Sequence, residues 1–169
     1  MKNPFIPIAR SLSLLRHRSK VKTSMCPLNS CKTVTVFVDA SQAGVQDCVN
    51  VIESYFTGKK MAHKIFVVNH AEPALTLNAC TVLNRKDIKW FGRPKRSKKH
   101  PVVNGEEDLF INLASKECYT AYYAMRCSKA KYKIGIYPEA KPDTLITNTT
   151  GYSQKDIFVQ ISSVLNSLV

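Results

Sequence analysis

Asp108-Leu-Phe-Ile-Asn-Leu113 is a short apolar run closed at its start by a carboxylate, the pattern of a strand buried on both faces of an α/β sheet. From Ser115 to Ala130 the polarity changes to a helical rhythm that lets Cys118, Ala121, Tyr122 and Met125 share one face. Lys133 to Tyr137 is a second β-like run. Strand, helix and strand within about thirty residues are the order and length of a right-handed crossover, which makes the two strands parallel. This unit decides the architecture but brings no chemistry with it.

Working outward, Thr33-Val-Thr-Val-Phe-Val-Asp39 is β-branched and apolar and makes the first strand. A loop from Ala40 to Gly44 leads into a helix whose Val45, Cys48, Val49, Ile52 and Phe56 form a core-facing stripe, with Gly58 placed as a C-cap. Lys64 to Val68 is the second strand. Three readings of Asn69 to Asn84 stay open: a short helix, a strand near Cys80 to Leu83, or mostly loop. Asp87 to Phe91 is expected as an edge strand, followed by a long loop from Gly92 to Glu107 in which Gly92, Pro94, Pro101 and Gly105 stop any regular element. After the crossover come a turn at Pro138 to Pro142, a short strand at Thr144 to Thr147 and a turn at Asn148 to Gly151. Ser153 and Asp156 form a start resembling a capping box. The last helix is expected to bury Ile157, Ile161, Val164, Leu165 and Leu168. The alternation predicts a three-layer Rossmann-like α/β sandwich with a mainly parallel sheet of five or six strands. No period of about 20 to 50 residues marks a repeat array.

At 169 residues and 44% apolar composition the chain is the size of one domain with a proper core. The expected division is a basic N-terminal arm over 1–32 and a single domain over 33–169 with a basic loop at 92–107. No apolar run approaches the ~18 residues of a membrane span, so no integral membrane contact is expected. Pro4, Pro7, Arg10 and the Arg16 to Lys22 cluster interrupt any secretory h-region. The six cysteines contain no Cys-x-x-Cys pair and the four histidines are scattered, so neither zinc nor a disulfide framework is signalled, and no cofactor is expected. Cys48 and Cys118 fall on apolar faces as small buried hydrophobes, and reduced thiols fit a cytoplasmic location.

The net charge of +13 is concentrated. Residues 1–32 carry seven basic side chains and no acidic one, and residues 85–100 carry eight basic and one acidic, Asp87, leaving the rest near neutral. In the arm, a helix is read from Ile8 to about Lys22, with Ile8, Leu12 and Leu15 as a thin apolar stripe. The arm fits a solvated segment that docks loosely or not at all, an organelle transit peptide, or a polyanion-binding arm. Pro27 and Asn29 mark its boundary.

The sharper feature is Arg85-Lys-Asp-Ile-Lys-Trp-Phe-Gly-Arg-Pro-Lys-Arg-Ser-Lys-Lys-His100, which holds the only tryptophan inside a dense basic run. Basic side chains neutralise phosphates without reading sequence, and an exposed aromatic stacks on an unpaired base, a pairing that suits RNA better than duplex DNA. The candidate nucleic-acid-binding residues are therefore Arg85, Lys86, Lys89, Trp90, Arg93, Lys95, Arg96, Lys98 and Lys99, helped by Arg16, Arg18, Lys20 and Lys22. The competing reading buries Trp90 and Phe91 in the edge strand, and burial of Trp90 is the expectation here. It leaves the mutual repulsion of Arg93, Lys95, Arg96, Lys98 and Lys99 unexplained.

In an open parallel sheet the ligand crevice lies off the carboxyl ends of the strands. The loops there present Asp39, Ser41 and Gly44, then Asn69 and His70, then Asn112, Ser115 and Lys116. Of these, Asp39, Ser41, Asn112 and Ser115 are the candidate small-ligand residues, although such polar groups are also what ordinary loops carry. Asp39-Ala-Ser-Gln-Ala-Gly44 has one glycine where a phosphate-cradling turn wants two or three. His70 and Glu72 are not read as an acid and base pair, and no catalytic or metal-ligating residue is assigned.

Lys89-Trp-Phe-Gly-Arg-Pro-Lys95, Asp108 to Leu113 and Cys127-Ser-Lys-Ala-Lys-Tyr-Lys-Ile-Gly135, in that succession, resemble an uncharacterised family of short, basic bacterial Rossmann-like proteins. The resemblance covers most of residues 33–169. It implies one cytoplasmic domain and argues against a transit peptide. More locally, Asp108 to Leu113 with Ser128 to Gly135 is similar to the acceptor-side, N-terminal domain of heptosyltransferase-like glycosyltransferases. That family's donor site lies in a second domain, for which this chain has no length, and its Gly-Asp turn is replaced by Val38-Asp-Ala-Ser-Gln. The expected function is a non-catalytic basic module binding RNA or a ribosomal particle. The alternative is a small enzyme, or a relic of one, holding a nucleotide or sugar phosphate in the crevice; a third possibility is a scaffold on an acidic protein or membrane surface.

Overall fold

A run of β-branched residues disfavours helix and suits a pleated, packed surface, and Thr33–Asp39 forms β1 with every residue from Val34 onward buried. The computed structural model describes residues 3–24, 27–95, 106–147 and 149–167. In chain order these hold α1 (Phe5–His17), β1, α2 (Val45–Gly58), β2 (Ala62–Asn69), β3 (Thr81–Asn84), β4 (Leu109–Asn112), α3 (Tyr119–Cys127), β5 (Tyr132–Gly135), β6 (Thr144–Leu145) and α4 (Gln154–Ser167). All six strands pair in parallel, in the order β3-β2-β1-β4-β5-β6. The sheet is the parallel one expected, at the upper strand count.

Alternation along the strands divides the core into two layers. Val34, Val36 and Val38 of β1 and Ile111 of β4 face α2 and α4, together with Ile52, Phe56, Ile157, Ile161 and Leu165. Phe37, Phe66 and Phe110 face the other way, stacked in a row at centroid separations of 5.1 and 5.4 Å, and meet α3 through Ala121, Tyr123 and Met125. Helices thus cover both faces, as a parallel sheet requires. Lys133, buried in β5, donates to the carbonyls of Met125 (3.1 Å) and Ser128 (2.7 Å) and so closes the C-terminal end of α3. Ser153 and Asp156 make the expected reciprocal cap on α4.

Several expectations are corrected. The edge strand is Thr81–Asn84, whereas Arg85–Asp87 is a 3₁₀ turn and Ile88 meets Pro94 in a single antiparallel bridge, because Gly92 (φ +97°) turns the chain back on itself. Trp90 is not buried but 61% exposed. Val164 is exposed on α4, and Leu168 lies outside the described residues. The N-terminal helix spans Phe5–His17 rather than Ile8 to Lys22.

That helix is docked. Ser13 is buried, Arg10 Nε donates to the Phe91 carbonyl (2.9 Å), and the Ser19 N–H donates to the Arg126 carbonyl (3.0 Å). Its inward side carries Arg10, Ser13, Leu14 and His17, while Phe5, Ile8, Leu12 and Leu15 are exposed. The apolar stripe legible in the sequence therefore points away from the core.

Candidate functional site

The strand order reverses between β1 and β4, the topological switch point at which crevices open in sheets of this kind. Phe37 pairs with Asn112 and Asp39 with Val68, so the ends of β1, β4 and β2 finish at similar height. A crevice of about 600 Å³ opens there, lined by Asp39 and Ser41 at the end of β1, Asn69 and His70 at the end of β2, Ser115, Glu117, Cys118 and Tyr119 after β4, and Arg10 from α1.

Asp39, 4% exposed, lines it. Oδ1 accepts the Ser41 N–H (2.9 Å), and Oδ2 accepts the Ser115 hydroxyl. Of the four expected crevice residues, Asp39, Ser41 and Ser115 converge; Asn112 is buried beside them and uses its side-chain oxygen to accept the Ala114 N–H (3.0 Å), which shapes the turn. Asn69 is likewise spent on structure, bonding Pro73, Asn84 and Ala71.

His70 Nε2 stands 3.4 Å from Thr120 Oγ1 and 4.0 Å from Cys118 Sγ. Desolvation lowers the imidazole pKa, partly opposed by Asp39, so the ring favours its neutral form. Burial pushes the Cys118 thiol up to about 12, with Asp39 adding to the shift, which keeps the sulfur protonated at neutral pH.

Beside the crevice runs a groove of about 470 Å³ lined by Arg10, His70, Arg85, Ile88, Lys89, Trp90 and Gly92. Its far wall is a tight loop held by the Lys89 N–H to Arg93 carbonyl bond (2.7 Å) and the Gly92 N–H to Lys89 carbonyl bond (2.8 Å). The loop is seated on α3. The Thr120 hydroxyl donates to the Gly92 carbonyl (2.7 Å), and a Cβ on Gly92 would fall 2.7 Å from Tyr119 Cδ1, so only glycine fits. Trp90 packs edge-on against Phe91 at 5.2 Å and leaves its remaining surface to solvent.

Arg85, Lys89 and Trp90 line this groove, and Lys86 and Lys95 are exposed on the same loop. Arg93 is half-buried and turns inward, donating to Ser13 Oγ (3.3 Å) and so tying the loop to α1. Arg16, Arg18, Lys20 and Lys22 do not line the groove. All but Arg16 follow α1 and all four are exposed. Arg96, Lys98 and Lys99 lie outside the described residues.

Arg10 is the residue that sequence reading missed. Its guanidinium sits 4.2 Å over the Tyr119 ring, the Tyr119 hydroxyl donates to its carbonyl (3.2 Å), and it lines both crevice and groove. The available signal was the polar run Arg10, Ser13, His17 at helical spacing, which is the docked side of α1.

Among the described residues, no group of three or more His, Cys, Asp or Glu is placed to hold a metal ion, and no helix is long and apolar enough to cross a membrane.

The sheet order and the switch-point crevice define a Rossmann-like α/β protein. Within that class the chain belongs to a family of unknown function (DUF6913), whose match spans residues 8–167 and so includes most of α1. No curated protein and no solved structure matches the chain.

Proposed function

We propose that this protein is a non-catalytic basic module that binds RNA, free or in a ribosomal particle, along the groove between Arg10 and the Arg85 to Lys95 loop. The observation that carries the reading is Trp90, 61% exposed at the rim of a groove that also presents Arg10, Arg85 and Lys89. Leaving a large indole in water forgoes the burial that would ordinarily stabilise the fold, and an unpaired base restores it by stacking. The guanidinium and ammonium groups beside it neutralise phosphates. A binding role rather than a catalytic one is supported by the protonated Cys118 thiol and by the structural bonds that occupy Asn69 and Asn112.

The test is the salt dependence of affinity for single-stranded RNA. Log affinity should fall linearly with log salt, and Arg85→Ala, Lys89→Ala and Lys95→Ala together should reduce the slope by about 0.7 for each phosphate that the variant no longer neutralises. Affinity indifferent to both salt and these changes would refute the reading.

A further inference from the structure

The crevice and the groove share Arg10 and His70, so the two adjoin and carry opposite charge at their outer ends, and we treat them together as one trough. Arg85, Lys89 and the exposed Trp90 stand at one end, Asp39 and Glu117 at the other, with Arg10 between. A phosphodiester chain running the whole length would press a phosphate against two carboxylates, a like-charge approach that weakens binding. A chain that ends there presents hydroxyl groups instead.

Asp39 is built to receive them. Each of its carboxylate oxygens accepts one internal bond, from the Ser41 N–H and the Ser115 hydroxyl. A carboxylate has about four lone-pair sites, so one stays available on each oxygen, which matches the two adjacent hydroxyls of a ribose. Gln154 fixes the Asp39 backbone from α4, so the carboxylate is held in place before any ligand arrives.

Resting on the RNA reading above, we infer that the trough takes the 3′ end of an RNA, with the penultimate base on Trp90, the last phosphodiester at Arg10 and the terminal 2′,3′-diol on Asp39. A free ribonucleoside 5′-monophosphate carries the same phosphate and diol and is the other source of this chemistry. The site discriminates against DNA, which lacks the 2′-hydroxyl, and against RNA ending in a 3′-phosphate.

The experiment is fluorescence anisotropy with a short single-stranded RNA labelled at its 5′ end and carrying a free diol, a 3′-phosphate or a 2′,3′-dideoxy terminus. Adenosine 5′-monophosphate and its 2′,3′-dideoxy counterpart serve as competitors. The free diol should bind at least about tenfold more tightly than either blocked end, since the dideoxy end offers the buried carboxylate no hydroxyl and the 3′-phosphate end offers one hydroxyl beside a repelling charge. Asp39→Asn should bring that ratio close to one. Glu117→Gln, at an exposed side chain that the fold does not depend on, should relax the rejection of the 3′-phosphate alone. Salt-dependent binding that ignores the terminus would overturn the inference and leave RNA binding standing. Competition by the monophosphate but not its dideoxy form, without RNA binding, would keep the diol site and sink the RNA reading. Binding of none of these probes would end both.

Discussion

Gln154 grips Asp39 by both of its backbone groups, accepting the Asp39 N–H at Oε1 (2.8 Å) and donating from Nε2 to the Asp39 carbonyl (2.7 Å). Gln154 is 3% exposed and begins α4, so the last helix of the chain fastens the end of the first strand at the point where the sheet reverses. Strand ends normally run out of ladder partners. Here a side chain from 115 positions away supplies them.

Gln154→Ala should destabilise the fold by about 2 to 3 kcal/mol, because it strands a buried N–H and a buried C=O where water does not reach. Urea unfolding measures the loss. A cost under about 0.5 kcal/mol would mean that the pair is solvated in solution.

Trp90→Ala should leave stability within about 0.5 kcal/mol of the parent, since the side chain is mostly in water. RNA affinity should fall by about 1 to 3 kcal/mol, the scale of one base stacked on an aromatic ring. Thermal unfolding and RNA titration on the same preparation separate the two effects. A large stability loss would show that the indole is part of the core after all.

The elements that packing dictates were legible in the sequence. Thr33–Asp39 is a strand because its β-branched run suits a buried strand, and Cys48, Ile52 and Phe56 are buried because a helical stripe of that width has one place to go. Asp39 ends β1 and Ser115 lies in the loop after β4, positions that the strand pattern alone predicts, yet their direct bond joins residues 76 apart and no local pattern encodes it. Apolar character alone predicts burial of Trp90, whereas its exposure follows from the reversal at Gly92, which seats the loop against Tyr119. Arg10 was missed for the opposite reason. A basic residue in a basic arm looks like solvated charge until α1 is seen to dock through its polar side.

That docking makes a prediction that runs against composition. Leu12 is 62% exposed and Ser13, its neighbour, is buried, so Leu12→Ser should change stability by less than about 0.5 kcal/mol while Ser13→Leu costs about 1 to 3 kcal/mol through overpacking against α3. Thermal unfolding of the two variants decides it. The reverse ranking would mean that α1 sits with its apolar stripe inward.

Asp108, the first residue of the stretch that fixes the architecture, also sets an acid limit on stability. Oδ2 accepts the N–H groups of Lys32 (2.8 Å) and Thr33 (3.1 Å) and the Thr33 hydroxyl (3.2 Å), while Lys131 Nζ donates to Oδ1 (2.6 Å). The Lys131 bond foremost, with the Lys32 and Thr33 groups, holds its pKa at about 2 against an ordinary 3.8. A carboxyl whose pKa is lower in the folded chain favours folding while it is ionised. Its contribution of about 2 kcal/mol is complete above pH ~4, drains as the pH falls and is gone below about 2. Asp108→Asn should therefore lose that amount in urea unfolding at neutral pH and lose less than the parent on acidification across the same window. Parallel stability curves for the two proteins between about pH 5 and pH 2 would show that the β1 and β4 starts are not joined through this carboxylate.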